Sequence, residues 1–238
     1  MINFSEKIIL VTGAAGNLGG AVAEAFLKAD GKVVALDHRS GRLKAKFSLF
    51  DSEKRFFPFE GIDLTDRQAV LALAGQVRDQ VGLVDVVVNT VGGFTYGDPV
   101  YELEPETLNQ MIDLNVKTFL NTSAGFVPQL FEKGGGKVIT IGSRSGMSGS
   151  AKTGAYAAAK SALLRLTESM AEELKGENIQ VNCVLPSTID TPENRQAMSN
   201  ADFTKWVSLE NLAQAILFLA SSSADDITGI GLPIYGRA

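Results

Sequence analysis

Along the 238 residues of this chain, short apolar runs rich in β-branched side chains alternate with longer segments of helical spacing. The runs fall at residues 7–12, 32–37, 57–63, 84–89, 137–142, 180–185 and, most weakly, 231–235. Helical spacing covers 18–29, 67–81, 106–126, 154–175 and 209–221. Most of the strands carry a continuous apolar run rather than an alternating one, the pattern of a sheet covered on both faces. Strict alternation of strand and helix predicts an α/β fold, doubly wound, with about seven mostly parallel strands and helices on both sides. Residues 40–55 and 192–205 carry no clear period, and neither has the composition of a linker. The expectation is therefore a single domain spanning 1–238, which its length allows.

The polar residues that interrupt this frame share an address. Gly13, Asp37, Asp63, Asn89, Ser143 and Pro186 each lie at or just beyond the carboxyl end of a different predicted strand. In an open parallel sheet that edge is where ligands bind.

Scarcity narrows the chemistry. The chain has one cysteine, Cys183, and one histidine, His38, which excludes an internal disulfide, a Cys/His zinc site and a c-type haem motif. No metal site is expected. A Ser-His-Asp triad would have to use His38, beside Asp37 at the wrong end of the crevice, and Cys183 sits in an apolar strand as a packing residue. The net charge of −5 is spread without a basic cluster, which argues against nucleic acid or an anionic membrane as partner. No apolar run approaches the length of a membrane span, and the first residues lack the features of a secretory signal. A cytoplasmic protein acting on a small molecule is the expectation.

Thr12 to Gly19, with Gly13, Gly16, Asn17 and Leu18 between, joins the first strand to the first helix. Taken alone, such a turn only packs helix against sheet. In this position its small residues let a pyrophosphate approach backbone N–H groups at the positive end of the helix. Asp37, ending the second strand, then supplies a carboxylate for the two adenosine ribose hydroxyls. A 2′-phosphate at the same place would meet repulsion of about 4 kcal/mol per charge pair at 4 Å. NAD(H) is thus favoured, and NADP(H) is not excluded because Arg39 is close enough in sequence to offset part of that repulsion.

Tyr156 and Lys160 are spaced i, i+4 on an Ala-rich helix, so phenol and ammonium share one face. Ser143 ends a strand 13 residues earlier, and Asn115 lies in the long preceding helix. A phenol with an ordinary pKa near 10 transfers protons at neutral pH only if its anion is stabilised, and a neighbouring lysine does that.

These motifs together resemble the short-chain dehydrogenase/reductases over nearly the whole chain. The resemblance rests on the Thr12–Gly19 turn, Asp63-Leu64, Asn89-x-x-Gly92, Asn115, Ser143, Tyr156-x-x-x-Lys160 and the segment from Pro186 to Thr191. It implies a Rossmann-type dinucleotide fold and transfer of hydride between a nicotinamide and a carbonyl or secondary alcohol. Tyr156 would be the general acid/base and Lys160 would lower its pKa and bind the nicotinamide ribose. Ser143 would polarise the carbonyl, and Asn115 would hold a water that extends the proton relay. Asp63 and Leu64 would border adenine, Asn89 and Gly92 the adenosine side, Ile189 the carboxamide and Thr191 the phosphates. A homo-oligomer, tetramer or dimer, is implied as well. One departure is Asn17 where the family has glycine, for which asparagine's tolerance of left-handed backbone offers a reason.

A narrower resemblance, carried by Gly92-Gly93-Phe94 and by the segment from Val184 to Trp206, is to the quinonoid dihydropteridine reductases of the same family. Those enzymes lack the catalytic serine that this chain has in Ser143, so carbonyl chemistry ranks first and pterin reduction second. A non-catalytic NAD(H) sensor is the rival from another class, and it has no use for the Ser143, Tyr156 and Lys160 set. Phe94, Tyr96, Met147, Met198, Phe203 and Trp206 are candidates to line an apolar pocket.

Overall fold

Seven strands form one sheet in the order β3-β2-β1-β4-β5-β6-β7, and every neighbouring pair is parallel. They are β1 (Ile8–Val11), β2 (Lys32–Asp37), β3 (Phe56–Glu60), β4 (Val86–Asn89), β5 (Gly136–Ile141), β6 (Ile179–Pro186) and β7 (Gly231–Ile234). The computed structural model describes residues 2–48 and 54–237. Helices cross between the strands: α1 (Asn17–Lys28), α2 (Arg42–Lys46), α3 (Arg67–Gln80), α4 (Pro105–Ile112), α5 (Thr118–Lys133), α6 (Gly154–Leu174), α7 (Pro192–Ala197) and α8 (Leu209–Ala220).

The apolar strands earn their composition by feeding two cores. On one face Ile9, Val11, Val33, Val88 and Ile139 pack with Val22 and Phe26 of α1 and Leu212 and Ile216 of α8. On the other, Leu10, Val34, Val87, Val138 and Val181 meet Val70 and Leu73 of α3, Phe119 and Phe126 of α5 and Leu163 of α6. Each such buried side chain contributes about 1.5–3 kcal/mol of transfer free energy. Burial on both sides leaves ligands only the sheet's edges.

The connections decide which edge. From β1 the chain winds outward through β2 to β3, then returns to lay β4 on the other side of β1 and winds outward again. At the β1/β4 switch point the loops leaving the two strands part, opening a crevice at their carboxyl ends.

Four expectations need adjustment. The predicted helix over 106–126 is α4 and α5 joined by a π-helical turn at Asp113–Lys117, and it runs past Pro128 to Lys133. The third strand ends at Glu60, so Asp63 stands in the loop beyond it, after Gly61 with its φ of +74°. Pro186 is the last residue of β6 rather than a loop residue. The two stretches without a period each hold a short helix, α2 and α7, too brief to show periodicity; residues 49–53 of the first lie outside the described residues.

Candidate active site

Gly13, at φ +62°, takes the left-handed backbone that turns the chain out of β1. Gly19, in the first turn of α1, lies so close to it that a Cβ there would sit 2.3 Å from the Gly13 carbonyl oxygen and 2.7 Å from Thr90 Oγ1. Gly16 is the N-cap of α1 in extended conformation and offers no side-chain cap, so the first N–H groups of the helix are left to an incoming acceptor. Asn17 does not use its tolerance of left-handed backbone: it is the first helical residue, and its Nδ2 donates to Glu193 Oε2 at 2.7 Å. Leu18 turns inward onto the core beneath the turn.

The turn is locked to β4 by a contact between Thr12 and Thr90 that no sequence spacing reveals. Thr12 Oγ1 donates to Asn89 Oδ1 at 3.1 Å and accepts from the N–H of Thr90 at 3.0 Å, while Thr90 Oγ1 donates to the Thr12 carbonyl at 2.5 Å. The other buried amide atom, Asn89 Nδ2, has no hydrogen-bond partner among the described residues.

Asp37, only 5 % exposed, accepts from the Ala15 N–H at 3.2 Å and from the Arg39 N–H at 3.0 Å. A carboxylate has about four acceptor positions, so two remain for ribose hydroxyls. Its carboxylate, with Gly13, Gly16, Asp63, Leu64 and Gly92, lines a cavity of about 510 Å³. Asp63 is held well below the usual carboxylate range, because Thr65 donates to it from both its hydroxyl and its N–H. The Leu64 carbonyl accepts from Asn121 Nδ2 at 2.9 Å, fixing that loop to α5. His38 lines the same cavity beside Asp37. So does Arg42 of α2, whose Nη1 is 3.9 Å from Asp37 Oδ1; farther along α2, Lys46 Nζ donates to the Gly16 carbonyl at 2.5 Å. No spacing rule exposes these contacts, since a five-residue helix leaves no pattern. A larger cavity, about 640 Å³, opens at the amino edge of the sheet, where Lys7 and Lys133 pair with Asp85 and Lys137 pairs with Asp225.

At the other end of the crevice, α6 presents Tyr156 and, one turn on, Lys160. The phenol is half-buried; burial raises its pKa, and the neighbouring Ser143 side chain offsets part of the rise. Lys160 is fully enclosed, and burial brings its pKa down to about 8. Its Nζ donates to the Ile141 carbonyl at 2.7 Å and lies 5.9 Å from the centre of the Tyr156 ring. Ser143 Oγ accepts from the Ser145 N–H at 3.1 Å, which pins the hydroxyl where β5 ends. Burial, rather than Lys160, governs the phenol, so its pKa moves upward and not downward as the Tyr-x-x-x-Lys spacing suggested.

Asn115 is buried in the π turn, and the turn explains its aim. Its Nδ2 donates to the carbonyls of Gly93 (3.2 Å) and Met111 (2.9 Å), and its Oδ1 accepts from the Gly93 N–H at 3.2 Å. The amide is thus spent on clamping the loop after β4. Gly92 lies in the angle between these groups, where a Cβ would come within 2.8 Å of Asn115 Oδ1 and 3.2 Å of Lys160 Nζ.

The third loop holds Ile189 and Thr191. Ile189 bridges to Val207, its carbonyl accepts from Asn194 Nδ2 at 2.8 Å, and Thr191 caps α7 by accepting from the Asn194 N–H. Arg195 braces the loop with a bidentate bond to Asp190 and a stack on Phe203. The Asn17–Glu193 bond draws this loop over the glycine turn. Cys183 is fully buried in β6 and packs against Leu164 and Leu185.

A glycine cradle at a helix start, a ribose-competent carboxylate and a Ser-Tyr-Lys cluster all stand on one edge of a doubly wound sheet. The model of the short chain dehydrogenase family matches residues 7–202. The chain belongs to that family. Relatives span almost its full length: 3-oxoacyl-[acyl-carrier-protein] reductase FabG of Thermotoga maritima is 29% identical, covering 97% of this chain and 96% of the relative. A 3alpha-hydroxysteroid dehydrogenase of Mediterraneibacter gnavus is 31% identical, covering 98% and 97%. A solved short-chain type dehydrogenase/reductase from Mycobacterium ulcerans has the same fold, with a TM-score of 0.92 at 22% identity over 99% of this chain and 90% of that one. As a short-chain dehydrogenase, the protein is an NAD(P)(H)-dependent oxidoreductase of carbonyl and alcohol groups. Among the described residues no helix is long and apolar enough to cross a membrane, and no three His, Cys, Asp or Glu side chains are grouped to hold a metal ion.

Proposed function

We propose that this short-chain dehydrogenase interconverts a ketone and its secondary alcohol with NAD(H), Tyr156 moving the proton. The observation that carries the reading is the Lys160 ammonium 5.9 Å from the centre of the Tyr156 ring, one helical turn away, with Ser143 held where β5 ends. The residues fit the dinucleotide: the Gly13/Gly19 close approach leaves backbone where a side chain would stand, and Asp37 keeps free acceptor capacity. Gly13, Asn17, Leu18 and Gly19 would hold its pyrophosphate, Asp37 its adenosine ribose, Asp63 and Leu64 its adenine. Asn89, Gly92, Pro186, Ile189 and Thr191 would border its length, and Lys160 its nicotinamide ribose. When bound, it supplies or accepts the hydride at the substrate carbon.

The chain's own groups handle the oxygen. Ser143 and Tyr156 donate hydrogen bonds to the substrate carbonyl, and Tyr156 gives up its proton as the oxygen becomes a hydroxyl. Lys160 would stabilise the resulting phenolate, and Asn115, which clamps Gly93 to the π turn, would hold the water that returns a proton. Ser143 favours a carbonyl over a pterin, because its side chain neighbours the phenol that protonates oxygen.

Asp37 supports NAD(H) over NADP(H) through charge repulsion with a 2′-phosphate. Fluorescence titration should show NADH binding at least about tenfold tighter than NADPH, and Asp37→Ala should narrow that ratio by about tenfold, since Arg39 and Arg42 remain to meet a phosphate. Tighter NADPH binding by the unaltered protein would refute this choice. Glu193 places a carboxylate at the start of α1, where the pyrophosphate would approach. Glu193→Gln should therefore tighten NADH about threefold, the scale of an exposed charge interaction; isothermal titration would measure it.

Residues 1–238 are taken as one domain, because one sheet runs from Ile8 to Ile234. We read the protein as cytoplasmic, acting on a small molecule as a homodimer or homotetramer, which sedimentation would test.

A further inference from the structure

The large apolar side chains left exposed gather on the working edge of the sheet. Ten are exposed among the described residues, and six of them stand on loops leaving the carboxyl ends of three strands. Phe94, Tyr96, Val100 and Tyr101 follow β4, Met147 follows β5 and Met198 follows β6. Water-facing aromatics concentrated in this way mark a surface waiting for an apolar partner.

Phe94 is the one that reaches the reacting group. Its ring centre is 4.9 Å from that of Tyr156, at 78°, in the edge-to-face arrangement that aromatic pairs prefer. Two glycines put it there: a Cβ on Gly93 would lie 2.7 Å from Leu114 Cδ1, and one on Gly92 would lie 2.8 Å from Asn115 Oδ1. The loop therefore lies flat on the π turn, with Asn115 bonded to both backbone groups of Gly93. Farther on, the Gly97 N–H donates to the Lys152 carbonyl at 3.1 Å and Val100 covers Gly154, so the loop docks on the turn between Ser143 and Tyr156. Phe94 is thus anchored on both sides and still 66 % exposed.

Resting on the carbonyl reading above, the geometry points to Phe94 as a specificity-determining residue that selects ketones carrying a flat apolar ring beside the reacting carbon. A substrate whose oxygen meets Ser143 and Tyr156 must send one substituent past the open face of Phe94. A ring covers that face and removes apolar surface from water on both partners. A hydroxylated substituent sheds water against the ring and gains no hydrogen bond from the phenyl group in exchange.

The test is kcat/KM with NADH for 2-acetylnaphthalene, acetophenone, butanone and hydroxyacetone, in that expected order. Phe94→Ala should lower the acetophenone-to-butanone ratio by about tenfold, mainly through KM, with Phe94→Leu intermediate. Being exposed, the side chain is dispensable for folding, and NADH titration of each variant confirms an intact cofactor site. Saturation-transfer NMR with acetanilide, an aryl amide that is not reduced, should give a signal with the unaltered protein and lose it in Phe94→Ala. A preference for butanone or hydroxyacetone, or an unmoved ratio in Phe94→Ala, overturns the aryl assignment while leaving the carbonyl reading intact. Failure to reduce any of the four ketones overturns both.

Discussion

Tyr156→Phe is expected to lower turnover by about three orders of magnitude or more, while NADH affinity stays within about threefold. The substitution removes one oxygen from a half-buried side chain and leaves the ring packed against Phe94, so binding and fold have little reason to change. What disappears is the proton donor, and positioned acid/base groups typically contribute about 10²- to 10⁴-fold. Steady-state kinetics beside a fluorescence titration separates the two effects, and near-normal turnover would remove Tyr156 from the mechanism. The pH profile has a definite sign. Burial holds the phenol above its ordinary value, so it is fully protonated at neutral pH and ketone reduction should be flat there. Alcohol oxidation needs the phenolate, so its kcat/KM should climb with rising pH. Replacing Ser143 by Ala removes a neighbouring hydroxyl that favours the phenolate, and that climb should move to still higher pH.

Gly19→Ala should abolish measurable dinucleotide binding, weakening NADH by about 100-fold or more. The added methyl would stand 2.3 Å from a backbone carbonyl oxygen and 2.7 Å from Thr90 Oγ1, and neither can simply swing away. The Gly13 carbonyl belongs to a turn held by its own left-handed φ, and Thr90 Oγ1 is bonded to Thr12. The helix start must retreat, and its N–H groups leave the position a pyrophosphate requires. Gly75, in α3, is the internal control: a Cβ there meets nothing within 4 Å, so Gly75→Ala should stabilise the protein by about 0.5–1 kcal/mol and leave NADH binding untouched. Circular dichroism melting and fluorescence titration of the two variants would show the contrast. Unchanged NADH binding by Gly19→Ala would mean that the cofactor does not use this turn.

Much of this site was legible because its residues obey local rules. Gly13 and Gly19 stand where a strand-to-helix turn needs them, Asp37 ends β2, and Tyr156 and Lys160 share a face through helical periodicity alone. The strands were found to within a few residues because burial on both faces makes them mostly apolar, with few interior polar residues such as Thr140 and Asn182. Less legible was whatever depends on two segments meeting. Thr12 and Thr90 are 78 residues apart in the chain, and only the parallel pairing of β1 with β4 makes them partners. Glu193 reaches Asn17 across 176 residues. The π turn at Asn115 was hidden inside an unbroken helical pattern, since one extra residue in a turn barely disturbs periodicity.

The order of elements, the edge of the sheet where the polar residues gather and the i, i+4 pairing of Tyr156 with Lys160 were determined by the sequence itself. Each depends on repeat spacing or on single residues of special chemistry. Tertiary structure alone decided that Phe94 and Tyr156 meet edge to face, that Asn115 spends its amide on a loop, and that burial lifts the pKa of the phenol while lowering that of Lys160 to about 8. Distance, orientation and desolvation are properties of packed groups, and packing is settled by all the elements at once.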